Sequence, residues 1–256
     1  MMRPATPNTS ITPTTDTTST AAKATRMLIT AGPTHEPIDA VRFLGNRSSG
    51  RMGLALARAG IAQGWDVTLL LGPTPIPEGA LPPGVRTHRF RTCADLQSLL
   101  RQHAPRTDIL VMAAAVADYR PVPNPAIAGG KFRRTDGPVT LQLESTPDLL
   151  AEIGRTRHRD QLLVGFALEP EADLLASARA KLQRKKIDIV VANPLETMDS
   201  DSVMATVLAA DGSREDTAGS LSKNDFALWL VSLIAARRMQ SMCASCIEGA
   251  VAVDAA

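Results

Sequence analysis

The chain has 256 residues, of which 44% are hydrophobic and only 3% aromatic, so its core must be built from Ala, Leu, Val and Ile. The formal net charge is +2, with bases interspersed among acids instead of gathered in a basic tract; this excludes a dedicated nucleic-acid binder and requires any anionic ligand to be recognised locally. No apolar run approaches the ~18 residues of a membrane span, so no membrane partner is expected.

Residues 1–25, "MMRPATPNTSITPTTDTTSTAAKAT", are rich in Thr and Pro and almost without large apolar side chains. Such a stretch cannot bury enough surface to order its backbone and is predicted to be a disordered tail. It also lacks the apolar stretch of a secretory signal, which points to a cytoplasmic protein. From Arg26 to Arg238 one globular unit is predicted, in which short apolar runs alternate with amphipathic segments. "MLITAG" reads as a first strand. "GRMGLALARAGIAQG" is a helix with apolar Met52, Ala55, Leu56 and Ala59, ending at Gly64, and "WDVTLLLG" a second strand. After a Pro-rich loop, "VRTHRF" supplies a third strand, "ADLQSLLRQH" a helix and "DILVMAAAVAD" a fourth, fully buried strand. The order is that of a Rossmann-like, doubly wound, mostly parallel sheet.

The second half opens with the Pro- and Gly-rich "YRPVPNPAIAGGKFRRTDGP", a hairpin or flap extension. "VTLQLE" alternates as a strand does, and "TPDLLAEIGR" starts a helix with Thr146 as N-cap and Pro147 at the first helical position. "QLLVGFALE" is a strand, "EADLLASARAKLQRKK" a helix and "IDIVVAN" a strand ending in a polar residue. "VMATVLAADGSRED" is predicted to be a hairpin turning at Asp211-Gly212. "SKNDFALWLVSLIAARR" closes the unit, with Ser222 and Asp225 as an approximate capping box. Residues 239–256 form a small-residue tail containing Cys243 and Cys246; "CASC" has the spacing of a redox or zinc-ligand pair, but no second Cys or His pair accompanies it and no function is expected there. With Cys93 these are the three cysteines, a number that suits a reducing compartment.

The stretch with most chemical content is "FLGNRSSGRMG", a glycine-rich loop running into a helix. A dinucleotide fingerprint places its glycines immediately after the first strand, in the pattern G-x-G-x-x-G. Here the strand ends at Ala31, the motif begins only at Gly50, and no Walker lysine follows. A nicotinamide-dependent reductase is therefore disfavoured. Ser48 and Ser49 can cap or line the helix start, and Gly50 and Gly53 let an anion approach the helix N-terminus. The alternative is a Ser-capped helix whose glycines only permit close helix–sheet packing. The loop by itself does not choose between them.

Five stretches in order, "ITAGPTHEPIDAVRFLGNRSSGRMG", "MAAAVADYRP", "STPDLL", "VGFALE" and "IVVAN", resemble the phosphopantothenoylcysteine synthetase (phosphopantothenate–cysteine ligase) family, the second half of the bifunctional bacterial coenzyme A flavoproteins. The likeness covers Arg26 to Arg238. It implies an enzyme that activates the carboxylate of 4'-phosphopantothenate with a nucleoside triphosphate, CTP or alternatively ATP, with Mg²⁺. The amine of cysteine then attacks the acyl-cytidylate, giving 4'-phosphopantothenoylcysteine, CMP and pyrophosphate. The resemblance places Gly32, Ser48, Gly50 and Gly53 against the nucleotide and Asn46 on the acyl group and its cytidylate. It implies that Arg42 reaches the phosphate of substrate bound by a neighbouring subunit, hence a homodimer. Ala114, Ala115 and Asp118 match substrate contacts, Asp118 also facing the nucleotide. Lys131 in "GGKFRR" matches the first lysine of a K-x-K-K flap acting at the acyl-phosphate centre, although the later lysines are here Arg133 and Arg134. Pro147, Asp148, Leu149, Leu150 and Phe166 match cytosine- and ribose-side contacts; Lys181 and Lys185, four apart on one helix face, match two lysines near the triphosphate, and Asn193 matches another nucleotide contact. His35 stands where many relatives have arginine and is given no role. Residues 1–25 are too few for an FMN-binding domain, so no flavin and a stand-alone ligase are expected. A non-catalytic nucleotide-binding subunit is the remaining alternative, motivated by the altered flap.

Overall fold

The structure, a computed structural model, describes residues 24–123, 130–131, 138–195 and 200–253, with side chains as far as residue 240. The expected tail 1–25 therefore lies almost wholly outside the described residues, as do Arg133 and Arg134 of the flap.

Strand β1 (Arg26–Ala31) leads into a short antiparallel ribbon, β2 (His35–Pro37) with β3 (Phe43–Gly45), before helix α1 (Arg51–Ala62) and strand β4 (Asp66–Leu71). Strand β5 (Arg86–Arg89), helix α2 (Cys93–His103) and strand β6 (Ile109–Met112) complete the first half. A second ribbon, β7 (Tyr119–Pro121) with β8 (Leu143–Ser145), precedes helix α3 (Leu149–Thr156), strand β9 (Leu162–Glu169), helix α4 (Leu174–Lys185) and strand β10 (Ile189–Pro194). The chain finishes with β11 (Ser202–Val203), the hairpin β12 (Thr206–Ala209) and β13 (Arg214–Asp216), β14 (Leu221–Ser222), and helix α5 (Lys223–Val253).

The main sheet has the order β13-β12-β10-β9-β6-β1-β4-β5. The six strands from β10 to β5 are parallel, and β12 and β13 add an antiparallel edge. Numbered along the chain, the parallel strands run 6-5-4-1-2-3, the doubly wound order, with its switch point between β1 and β6. Side chains alternate across the sheet. Met27, Ile29 and Ala31 of β1 pack towards α1 and α5, whereas Leu28 joins α2, α3 and α4 on the other face. The only buried cysteine described, Cys93, belongs to the second cluster; burial pushes its thiol up to about 11, as for an unreactive core residue.

Four local expectations are corrected. The alanine-rich run after β6 is not continuous strand: the ladder ends at Met112, an isolated bridge joins Ala115 to Pro33, and Ala113 to Val116 are half-buried. The cap of α3 is Asp148, which accepts from Ala151 N at 3.1 Å, while the Thr146 hydroxyl donates to the carbonyl of Ala117 at 2.6 Å. "VTLQLE" is strand only from Leu143, and Val139 and Leu141 before it are exposed among the described residues. Helix α5 does not stop near Arg238 but continues through Cys243 and Cys246 to Val253. Its start matches expectation in part: Asp225 N donates to Ser222 Oγ at 3.1 Å, and that hydroxyl donates to Asp225 Oδ2 at 2.6 Å.

Candidate active site

In a doubly wound sheet the ligand crevice opens beyond the C-terminal ends of the strands at the switch point. Here Ala115 N donates to Gly32 O at 2.9 Å, Thr34 N to Ala115 O at 3.2 Å, and Ala114 N to Thr30 Oγ1 at 3.1 Å. These bonds hold the residues after β6 beside those after β1, and their small side chains form a shelf. Two adjoining cavities of about 280 and 260 Å³ lie along it, sharing Ala114 and Phe166. Together they reach the ~300–1,000 Å³ usual for small-molecule sites.

The first cavity is formed where α1 begins. Gly50 precedes the helix at φ 73°, a left-handed conformation that favours glycine, and no side chain caps α1. Ser48 and Ser49 therefore line the cavity and do not cap the helix; Ser49 Oγ is 3.5 Å from Arg51 N. Gly53 lines it too, but its main constraint is packing: a Cβ there would stand 2.3 Å from Ala31 Cβ. Gly53 thus permits the close helix–sheet packing, while both glycines also line the cavity at the helix start. From the far side β10 contributes Asn193, whose Oδ1 is buried without a hydrogen-bond partner, an acceptor that a ligand N–H or O–H would satisfy.

The second cavity is walled by Pro147 to Leu150, Asp118, Lys181 and Lys185. Lys185 Nζ lies 2.8 Å from Asp148 Oδ1, so one carboxylate both caps α3 and ties it to α4. Burial alone would raise the Asp148 carboxyl; the Lys185 ammonium and the Ala151 N–H outweigh it and hold it below the usual range. Lys181 is more deeply placed and donates to the carbonyl of Phe166. Burial, with Lys185 as a like charge, lowers its pKa from 10.5 to about 8.

A phosphate bound beside Lys181 favours its ammonium form, so binding near pH 8 should take up a proton, and triphosphate affinity should fall as pH rises through that value. Calorimetry in buffers of different ionisation enthalpy measures the uptake; a Lys181→Arg variant should show none. An equal pH dependence in that variant would assign the effect to another group. Folding has the opposite sign: because the folded pKa is the lower one, stability from this group increases between about 8 and 10.5.

The structure gathers Ser48, Gly50, Gly53, Ala114, Ala115, Asp118, Pro147, Asp148, Leu149, Leu150, Phe166, Lys181, Lys185 and Asn193 around the paired cavities. Asn46 stands at their rim, its Nδ2 donating to the carbonyl of Val116 at 3.1 Å. Three expected residues line neither cavity. Gly32, at φ 80°, is a turn glycine against Thr74 and lines neither cavity. Arg42 is on the β2–β3 turn, paired with buried Asp39. Lys131 is exposed at the base of the flap, where the Gly130 carbonyl accepts from Ala40 N at 3.1 Å, so it sits by that same turn. His35 stacks on Phe43 with centroids 3.6 Å apart, and burial lowers its pKa, consistent with a structural role in the ribbon.

Arg51 and Lys223 line the first cavity and Thr146 and Arg184 the second, without having been expected there as site residues. Lys223 begins the last helix, and only the packing of α5 beside α1 brings it to the glycine loop. Larger cavities occur away from the switch point. One of about 440 Å³ lies between α2 and α3. Another, of about 720 Å³, lies at the N-terminal edge of the sheet, where Arg26 and Arg238 pair with Asp108, Arg237 with Asp211, and Arg157 with Asp188. Three of the arginines lining it, Arg26, Arg237 and Arg238, are thus already paired with carboxylates. Among the described residues no cluster of His, Cys, Asp or Glu could hold a metal by itself, and no helix is long and apolar enough to cross a membrane.

A doubly wound sheet with a cavity at its switch point defines a Rossmann-like α/β protein. The chain belongs to the DNA/pantothenate metabolism flavoprotein C-terminal domain family, which it matches over residues 22–238. It is 42% identical over 200 residues to the coenzyme A biosynthesis bifunctional protein CoaBC of Mycobacterium bovis, covering 73% of this chain and 46% of that protein. It therefore spans about half the length of the curated relatives it matches. The crystal structure of a C-terminal domain of CoaBC superposes with TM-score 0.68 at 32% identity, covering 84% of this chain and 95% of that one. A Cab2 variant solved with phosphopantothenate-cysteine shares the fold at TM-score 0.71 and 20% identity, covering 86% and 88%.

Proposed function

We propose that the protein joins 4'-phosphopantothenate to cysteine at the expense of a nucleoside triphosphate, taken as CTP. The observation that carries this reading is the convergence of five separated sequence segments on one pair of cavities at the switch point. The carboxylate of phosphopantothenate attacks the α-phosphorus, and the bond to the β-phosphate oxygen breaks, releasing pyrophosphate. The cysteine amine then attacks the acyl carbon; an amide forms, CMP leaves, and one proton is released. Such chemistry depends on positioning and on charge stabilisation, which this site is equipped to supply. Leu149, Leu150 and Phe166 offer apolar contact to a base, the start of α1 and nearby cations suit phosphates, and the Asn46 amide can both donate and accept at the acyl group. Asp118 is an exposed carboxylate lining the second cavity, suited to share an Mg²⁺ carried in on phosphates. The ion would screen phosphate charge.

The functional unit is taken to be a homodimer. Val41, Phe43, Tyr119, Val122, Leu141 and Leu143 are exposed on or beside the two ribbons, the corner that carries Arg42 and Lys131. An apolar patch rimmed by cations and set apart from its own cavity suits a contact that delivers those cations to a second copy.

Phosphopantothenate, cysteine and Mg²⁺ supplied with each of four nucleoside triphosphates, with pyrophosphate and cysteine adduct followed together, test the reading. Cysteine-dependent product with CTP or ATP is expected. No product with any nucleotide would refute it, and CTP binding without turnover would favour a non-catalytic role.

A further inference from the structure

The two cavities differ in charge. The first is lined by Arg47, Arg51 and Lys223 with no carboxylate among its described residues. The second has Lys181, Arg184 and Lys185 but also Asp118 and Asp148, with apolar Leu149 and Leu150. The terminal phosphates of a triphosphate belong in the first and a base in the second, with the sugar and α-phosphate crossing the shared Ala114 and Phe166, where Lys181 donates to the Phe166 carbonyl.

We propose that Lys223 binds the terminal phosphates of the nucleotide and holds the pyrophosphate as it departs. This rests on the ligase reading above and assigns a ligand contact to the start of α5. The Lys223 ammonium donates to the carbonyl of Ser200 at 2.6 Å, and a lysine ammonium has two further N–H donors. Arg51 is tied to the next residue, its Nη1 lying 2.8 Å from Asp201 Oδ1. One short segment thus aims two cations from different helices at the same cavity. The Arg51–Asp201 pair is held weakly, with side chains 61% and 90% exposed, so a phosphate can displace Asp201 without large cost. Helices α1 and α5 pack side by side and both begin at this edge, which adds their dipoles to the side-chain charge. When the carboxylate attacks the α-phosphorus, the electron pair of the breaking P–O bond goes to the diphosphate. A lysine on a flexible stem can follow that group as its charge grows.

The test measures binding of CTP, pyrophosphate and CMP to the wild-type protein and to Lys223→Met, Lys223→Gln and Lys223→Arg variants. The Met and Gln variants should weaken CTP and pyrophosphate by about tenfold or more, the scale of one charge-assisted hydrogen bond. CMP affinity should stay within about twofold, since it lacks the terminal phosphates, and the Arg variant should recover most of the loss. A merely structural lysine holding Ser200 would change all three ligands alike. Equal losses, or none, would overturn the assignment, as would a wild-type protein that binds CTP no better than CMP. A wild-type protein that prefers CTP yet makes no adduct would overturn the ligase reading and leave the Lys223 contact standing.

Discussion

Replacing Asn46 by Asp is expected to lower amide formation by about 10²–10³-fold, the usual scale for losing a positioned donor at a reacting carbonyl. CTP affinity should remain within about threefold. The asymmetry follows from the placement of Asn46. Its amide is fixed by donating to the Val116 carbonyl, and it stands at the rim of the cavities, four residues before the Gly50 helix start. An aspartate cannot donate to Val116; it would turn a negative oxygen towards that carbonyl and repel the substrate carboxylate. Rapid-quench measurement of adduct, paired with calorimetric CTP binding, separates the two effects. Equal losses in both would contradict the role given to Asn46.

The second large effect concerns Arg42. An Arg42→Gln variant should lose up to about 100-fold in kcat/KM, chiefly through the KM for phosphopantothenate, as expected for one charge-assisted phosphate contact. In its own chain Arg42 is paired with Asp39 on the β2–β3 turn, away from both cavities. If it serves the neighbouring subunit, Arg42→Gln and Asn46→Asp chains should complement one another. A mixed dimer then has one intact site, from Asn46 of one chain and Arg42 of the other, and random exchange of equal amounts should restore about a quarter of wild-type activity. Activity that stays at the level of the separate variants would place Arg42 in cis or outside the site.

The parallel core was legible because its strands are short runs of Val, Ile and Leu punctuated by amphipathic helices, and buried strands have to look like that. The residues lining the paired cavities were legible for a related reason: glycines and small residues at strand ends are locally unusual, and they fall in order along the chain. The β2–β3 ribbon was not legible. "HEP" and "FLG" are three-residue strands, exposed in part, and one contains a proline. Yet that ribbon is the physical reason for the long separation between Ala31 and Gly50, which had spoken against a dinucleotide fingerprint. The alanine run misled because apolar residues read as strand even where they leave the sheet and become the floor of a cavity. Thr146 had the right chemistry for a cap, but its hydroxyl is engaged by Ala117, and Asp148 stands at the position whose side chain can reach Ala151 N. Lys223 had no local signal at all. A lysine at the start of a helix is ordinary, and its relation to Gly50 exists only once α5 lies along α1.

The most direct measurement of the central claim follows the carboxylate oxygens themselves. Phosphopantothenate carrying a heavy oxygen isotope in its carboxylate should deliver one labelled oxygen to CMP, with none in pyrophosphate, because activation at the α-phosphorus leaves that oxygen bridging acyl carbon and phosphorus until the amine displaces it. Label in inorganic phosphate or pyrophosphate, or adduct formed without any transfer of label to the nucleotide, would contradict the account.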